Sequence, residues 1–196
     1  SIFGMCDSGR LASNNSMDLR SSASLDPASA PARRCDELPV PVSAASTEAK
    51  RQRCLAAGAD VVVDSSTDGW RNEVKAVMGR GVNVVYDPVG GDYTEQALRL
   101  MAPGGRHLIV GFVTGIAKIP SNLLLLKRCA VIGVNWGGET MENPAIVPPV
   151  IQQLVEWTQA GKLKTRPDHV FPLERTGEAF ESIFNRSSSG KIVITP

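Results

Sequence analysis

Val82-Asn83-Val84-Val85-Tyr86-Asp87-Pro88-Val89-Gly90-Gly91 decides how the rest of the chain is read. Its first five residues, mostly β-branched or aromatic, predict a strand over 82–86. Asp87-Pro88 closes that strand, because proline has no N–H for a ladder and aspartate caps turns. Gly90-Gly91 lets the backbone turn tightly into a helix over 92–101, where Tyr93, Ala97, Leu98 and Met101 recur at helical spacing. Pro103-Gly104-Gly105 reads as the turn that stops the helix, and a strand over 106–110 follows. Strand, glycine turn, helix and strand make up the repeating unit of a parallel sheet.

The same alternation runs outward in both directions. Upstream, a strand over 40–45 leads into a helix over 48–57, with Ser46 or Thr47 as N-cap and Gly58 as its stop. Val61-Val62-Val63 reads as a strand buried on both faces. Asp68 is placed to cap a helix carrying Trp70, Val74, Val77 and Met78 on one face. Downstream come a loop over 111–119, a short helix over 123–126, a strand over 129–134 and a helix over 144–160. A strand over 169–173, a helix over 176–185 with Ala179, Phe180 and Ile183 inward, and a strand over 191–195 complete the series. The fold class is therefore α/β, a parallel sheet covered by helices.

Residues 1–42 break this pattern. They are rich in Ser, Ala, Pro and Arg, and 21–31 has neither a helical nor a strand period. Too few large apolar side chains are present to offset the entropy of ordering them, so the segment is expected to be mostly disordered.

The charge balance, 21 basic against 20 acidic residues, builds no long-range field for nucleic acid or an anionic membrane. No apolar run is long enough to span a bilayer. Cys6, Cys35, Cys54 and Cys129 form no CxxC pair, and His107 and His169 are the only histidines, so no metal site is expected. Reduced thiols suit the cytoplasm; the Arg and Ser of 1–42 also fit a mitochondrial transit peptide, against which Asp7, Asp18, Asp26, Asp36 and Glu37 count.

Ligands of open parallel sheets bind at the carboxyl ends of the strands. Those ends read Ser46-Thr47-Glu48-Ala49-Lys50-Arg51, Asp64-Ser65-Ser66, Asp87-Pro88-Val89-Gly90-Gly91, Gly111-Phe112-Val113-Thr114-Gly115 and Asn135-Trp136-Gly137-Gly138. Three of the five carry glycines, which let a backbone approach a ligand closely. Asp87 also reads as a plain turn cap, His107 as structural, and Trp136 as a core or oligomer residue.

Six segments together resemble the zinc-independent quinone oxidoreductases of the medium-chain dehydrogenase/reductase superfamily, in its C-terminal part. They are 84–91, 104–112, 120–127, Gly133-Val134-Asn135-Trp136-Gly137, Gly161-Lys162-Leu163 and Gly190-Lys191-Ile192-Val193-Ile194. The resemblance covers the chain from about Ser43 to Pro196. It implies an incomplete doubly wound, Rossmann-like sheet over 43–143. Residues 144–196 would then return to a catalytic domain that this chain lacks. It also implies NADP(H) as cofactor and hydride transfer to a small quinone or enone. Two alternatives stand beside it: a non-catalytic dimerisation or binding remnant, and an enoyl-thioester reductase of the same superfamily. The family's habit implies a homodimer through the 129–134 edge strand.

The resemblance further implies cofactor contacts. Ser46, Thr47 and Lys50 match the group that meets the adenosine 2′-phosphate. Val89 and Gly90 match the strand end passing the adenine and its ribose. Gly111, Phe112 and Val113 match the loop near the nicotinamide, Asn135 and Trp136 its mouth, and Lys191 its edge. No catalytic residue is assigned. The residues themselves favour the phosphorylated cofactor: the relevant strand end offers hydroxyls in place of the carboxylate that bonds a free ribose, with Lys50 and Arg51 supplying charge, although Glu48 opposes it.

Two departures matter. No G-x-G-x-x-G segment precedes Ser43; Cys35-Asp36-Glu37-Leu38-Pro39-Val40-Pro41-Val42 stands there, with two prolines where a central strand should run. Ser65 replaces the tyrosine common in the family near the 2′-phosphate. Residues 1–42 are accordingly expected to be a frame-shifted or mis-joined stretch of a longer protein. The chain alone is expected to bind NADPH poorly and not to be catalytic.

Overall fold

The computed structural model describes residues 2–6 (by their backbone), 40–163, 167, 169–185 and 190–196. They fall into two compact units, Ser1–Val134 and Asn135–Pro196. The division lies ahead of the boundary after 143 read from the sequence.

In the first unit the elements are β1 (Ile2–Cys6), β2 (Val42–Ala45), α1 (Glu48–Ala56), β3 (Val61–Asp64), α2 (Trp70–Met78) and β4 (Val82–Asp87). They continue with α3 (Asp92–Leu98), β5 (Met101–Ile109), α4 (Ser121–Lys127) and β6 (Ala130–Gly133). The six strands form one sheet in the order β3-β2-β1-β4-β5-β6. The β2–β3, β4–β5 and β5–β6 pairs are parallel, as the alternation of strand and helix requires. The β-branched runs supply Val42, Val63, Val82 and Val85 to the core, and the helices add Trp70, Val74 and Leu98. Thr47 caps α1, its hydroxyl accepting from the Lys50 amide at 3.4 Å.

The strand β1 was not expected. Ile2–Cys6 lies between β2 and β4 and runs antiparallel to both, with Ile2 opposite Ala45 and Cys6 opposite Val84. It falls in the segment expected to be mostly disordered; 7–39 lies outside the described residues. Because β1 is reversed, its amino end sits among the carboxyl ends of its neighbours.

Other differences have local causes. The helix α3 stops at Leu98, and Met101 opens β5, so Pro103, Gly104 and Gly105 lie inside a strand. Between Val82↔Met101 and Val84↔Arg106, β5 advances farther than β4 and throws its extra residues into a bulge. Gly104 there has φ +78, and its N–H donates to the Arg128 carbonyl at 2.8 Å. Gly69, not Asp68, stands at the α2 N-cap, and Val77 is exposed although Trp70, Val74 and Met78 are buried.

The second unit holds α5 (Trp136–Glu142), α6 (Val147–Gln159), β7 (His169–Pro172), α7 (Thr176–Phe184) and β8 (Ile192–Thr195). A 3-10 turn at Pro144–Ile146 precedes α6, and β7 and β8 pair in parallel. No helix was expected over α5, where Gly137-Gly138 has low helix propensity; Asn135 offsets this by capping, its side chain accepting from the Gly138 amide at 3.0 Å. Ala179 is buried as expected, whereas Phe180 and Ile183 are about half exposed. Among the described residues, no helix is long and apolar enough to cross a membrane.

Candidate functional site

Asp87, the last residue of β4, organises the carboxyl edge of the sheet. Its Oδ1 accepts from the amides of Val89 (2.9 Å) and Gly90 (3.0 Å). Its Oδ2 accepts from the Thr94 hydroxyl at 2.6 Å and lies 3.0 Å from His107 Nε2. Asp87, Thr94 and His107 are all buried. Burial alone would raise the Asp87 carboxyl, but His107, Thr94 and the two amides outweigh it and hold the group down at about 2. An ionised carboxylate can only accept, so Nε2 carries the hydrogen, and the buried His107 Nδ1 has no partner among the described residues.

This anchor fixes the turn 88–91, and the loop after β5 packs against it. The Thr114 amide donates to the Val89 carbonyl at 2.9 Å, its hydroxyl reaches Val89 O (3.0 Å) and Gly90 O (3.2 Å), and the Gly91 amide donates to Gly115 O at 2.8 Å. Gly90 has φ +75, and a Cβ on it would lie 2.6 Å from Gly115 O and 2.7 Å from Phe112 Cα. A Cβ on Gly111 would meet Pro88 O at 2.9 Å. Both glycines are needed for two loop backbones to touch. Val89 is buried beneath them, and Phe112 and Val113 are exposed above.

Ser46, Thr47 and Lys50 lie on the same edge, after β2. With β1 between them, β2 and β4 are about 10 Å apart. Gly90, Gly111 and Phe112 are thus brought together, whereas Lys50 shares their edge across that gap. Beside Lys50, Arg51 is clamped: its guanidinium reaches Asp64 at 2.7 Å, Glu48 at 2.9 and 3.1 Å, and the Ala45 carbonyl at 3.2 Å. The Ser66 hydroxyl and amide, joined by Arg51, hold the Asp64 carboxyl below its ordinary range. Gln52 and Arg51 do the same for Glu48. Ser65 is buried, and its carbonyl accepts from the Tyr93 hydroxyl at 3.3 Å.

The remaining site candidates belong to the second unit. Asn135 spends its side-chain oxygen on capping α5, Trp136 begins that helix half-exposed, and Lys191 is exposed just before β8. Three features escaped the sequence reading: the Asp87–Thr94–His107 network, the Thr114 bridge and the Arg51–Asp64 pair. Each joins residues on different elements, and neither composition nor spacing signals them.

Comparison with known proteins follows the same outline. A sequence profile described as zinc-binding dehydrogenase matches residues 57–194. A bovine (Bos taurus) quinone oxidoreductase-like protein 2 is 35% identical over 156 residues, which is 79% of this chain and 45% of that one. This chain thus spans less than half of that relative's length. A crystal structure of an NAD-dependent alcohol dehydrogenase superposes with a TM-score of 0.66 at 25% identity, over 79% of this chain and 43% of that one. A mycobacterial protein complexed with NADPH superposes at 0.70 and 22% identity, over 79% of this chain and 48% of that one, and shows a shared fold. The profile's description names zinc. Among the described residues, no three His, Cys, Asp or Glu side chains converge, so they do not fit such an ion. The profile match covers well over half of the sequence, and this chain belongs to the zinc-binding dehydrogenase family.

Proposed function

We propose that this chain is the nucleotide-binding part of an NADPH-dependent oxidoreductase that transfers hydride to a quinone or enone. One observation carries the reading: the turn 88–91, anchored by Asp87, and the loop from Gly111 meet through glycine backbones at the carboxyl edge of a parallel sheet. Such edges take dinucleotides. The name of the bovine relative supports the substrate class. When bound, the nicotinamide supplies the hydride; the protein's part is to bind, orient and exclude water. Lys50 would meet the adenosine end, Val89 and Gly90 the ribose, and Gly111, Phe112 and Val113 the nicotinamide side.

The reversed β1 limits this binding. In a complete fold of this kind, the turn after the central strand gives amide donors to the pyrophosphate. Here the amino end of β1 occupies that place. Each lost charge-assisted hydrogen bond costs about 1.5–3 kcal/mol. Fluorescence titration of NADPH against the full chain is expected to give a Kd of about 0.1–1 mM, weakened about tenfold by Lys50→Gln. Absence of saturable, Lys50-dependent binding at several times that concentration sinks the reading.

The strand β6 supports a second part of the proposal, pairing of two copies. It ends the sheet, bonded only to β5, with Ala130 and Ile132 exposed. Sedimentation equilibrium of the chain with and without Ile132→Lys tests it; a wild-type monomer at high concentration excludes it.

A further inference from the structure

The corner formed by the ends of β2 and β3 holds two cations, Lys50 and Arg51, and two carboxylates, Glu48 and Asp64. Its formal charge is therefore zero, which offers little to a phosphate group carrying nearly two negative charges. The two cations are not equivalent. Arg51 is four-fifths buried and directed at Asp64, Glu48 and the Ala45 carbonyl, so its donors are largely spent within the protein. Lys50 makes no ion pair with another described residue.

Resting on the reading of this corner as the adenosine end of the site, we propose that Asp64 sets the choice between a 2′-phosphorylated and a free adenosine ribose by holding Arg51 in reserve. A 2′-phosphate presents the same planar fork of donors with an acceptor as good as a carboxylate, so it competes with Asp64 for the guanidinium. A free ribose hydroxyl carries no charge and leaves the Arg51–Asp64 pair intact. The discrimination is therefore weaker than two adjacent cations suggest, and the carboxylate on β3 sets it. The restraining carboxylate lies outside the 46–51 segment, thirteen residues beyond Arg51.

The test is calorimetric titration of the full chain with adenosine 2′,5′-bisphosphate and adenosine 5′-monophosphate. Asp64→Asn is expected to tighten the bisphosphate about tenfold, the effect of one added charge-assisted hydrogen bond, and to leave the monophosphate within about twofold. Adding Arg51→Gln to Asp64→Asn should abolish the gain. Glu48→Gln, which removes the other carboxylate partner, should give a smaller gain of about threefold and serves if Asp64→Asn does not fold. An unchanged preference in these carboxylate variants overturns the proposal, as does a gain that survives loss of Arg51. Lys50→Gln separates the two failures: if it weakens the bisphosphate while Asp64→Asn changes nothing, only the Asp64 role fails. If the chain binds neither nucleotide, or ignores Lys50→Gln, the reading of the corner and the Asp64 role fall together.

Discussion

The two units of this chain bury their apolar side chains very differently. In Ser1–Val134, Val42, Val63, Trp70, Val74, Val82, Val85, Leu98 and Met101 are all inaccessible or nearly so. In Asn135–Pro196, Ala179 is the one buried apolar residue among those described, while Ile151, Val155, Phe180, Ile183 and Phe184 stand exposed on α6 and α7. Both helices have amphipathic sequences, so amphipathicity alone does not decide burial. A helix face is buried only when another layer covers it. The sheet covers the helices of the first unit, whereas the β7–β8 pair is too small to cover those of the second.

Tryptophan substitutions give the largest contrast. Trp70 is 1% exposed and its indole N–H donates to Gln96 at 2.9 Å, whereas Trp157 on α6 is 38% exposed. Trp70→Ala should cost about 3–5 kcal/mol in urea unfolding, and Trp157→Ala less than about 1 kcal/mol. Equal costs would break the contrast. The acid response of Asp87 gives a second test. Its folded value of about 2 lies below the ordinary 3.8, so its contribution is complete above pH 4 and is lost as pH falls toward 2. That contribution is about 2 kcal/mol. Stability curves of wild type and Asp87→Asn should converge over this window, because the variant has nothing there to protonate. Parallel curves would assign the acid sensitivity elsewhere.

The alternation of strands and helices was legible because its signals are local: β-branched runs at 61–64 and 82–87, a threonine cap before α1, and Trp70, Val74 and Met78 one helical turn apart. What failed depended on partners distant in sequence. The strand β1 exists by pairing with β2 and β4, and nothing in Ile2–Cys6 alone announces that pairing or its direction. Phe180 and Ile183 were expected inward and are about half exposed, because the sequence does not show whether a neighbour covers their face. In the candidate site, the glycine-bearing strand ends were readable one by one. The link between Asp87 and His107 was not, because the bulge at 101–105 shifts the register between β4 and β5. The Arg51–Asp64 pair likewise requires knowing that β2 and β3 end side by side.

A glycine pair sharpens the contrast between the units at a smaller scale. Gly90 and Gly161 both have positive φ, +75 and +68, but a Cβ on Gly90 strikes the 111–115 loop whereas nothing lies within 4 Å of Gly161. Gly161→Ala should cost about 1 kcal/mol, from the left-handed backbone alone. Gly90→Ala adds a clash with backbone atoms and should cost about 2–3 kcal/mol, measured by thermal unfolding. Equal values would mean that the two loops do not touch in solution.

The smallest expected effect comes from two helix ends. After α6 the left-handed position is filled by Gly161; after α4 it is filled by Arg128, with φ 52 and ψ 45, the one non-glycine residue with positive φ among those described. A side chain there costs about 1–2 kcal/mol, partly offset by the greater unfolded freedom that glycine would bring, about 0.5–1 kcal/mol. Arg128→Gly should therefore raise stability by a few tenths to about 1 kcal/mol, a gain of a few degrees in Tm. The Arg128 carbonyl receives the Gly104 amide at 2.8 Å, a backbone contact that the substitution leaves in place. A loss of stability would therefore mean that the arginine side chain itself, rather than the backbone conformation, holds the α4 end against the bulge.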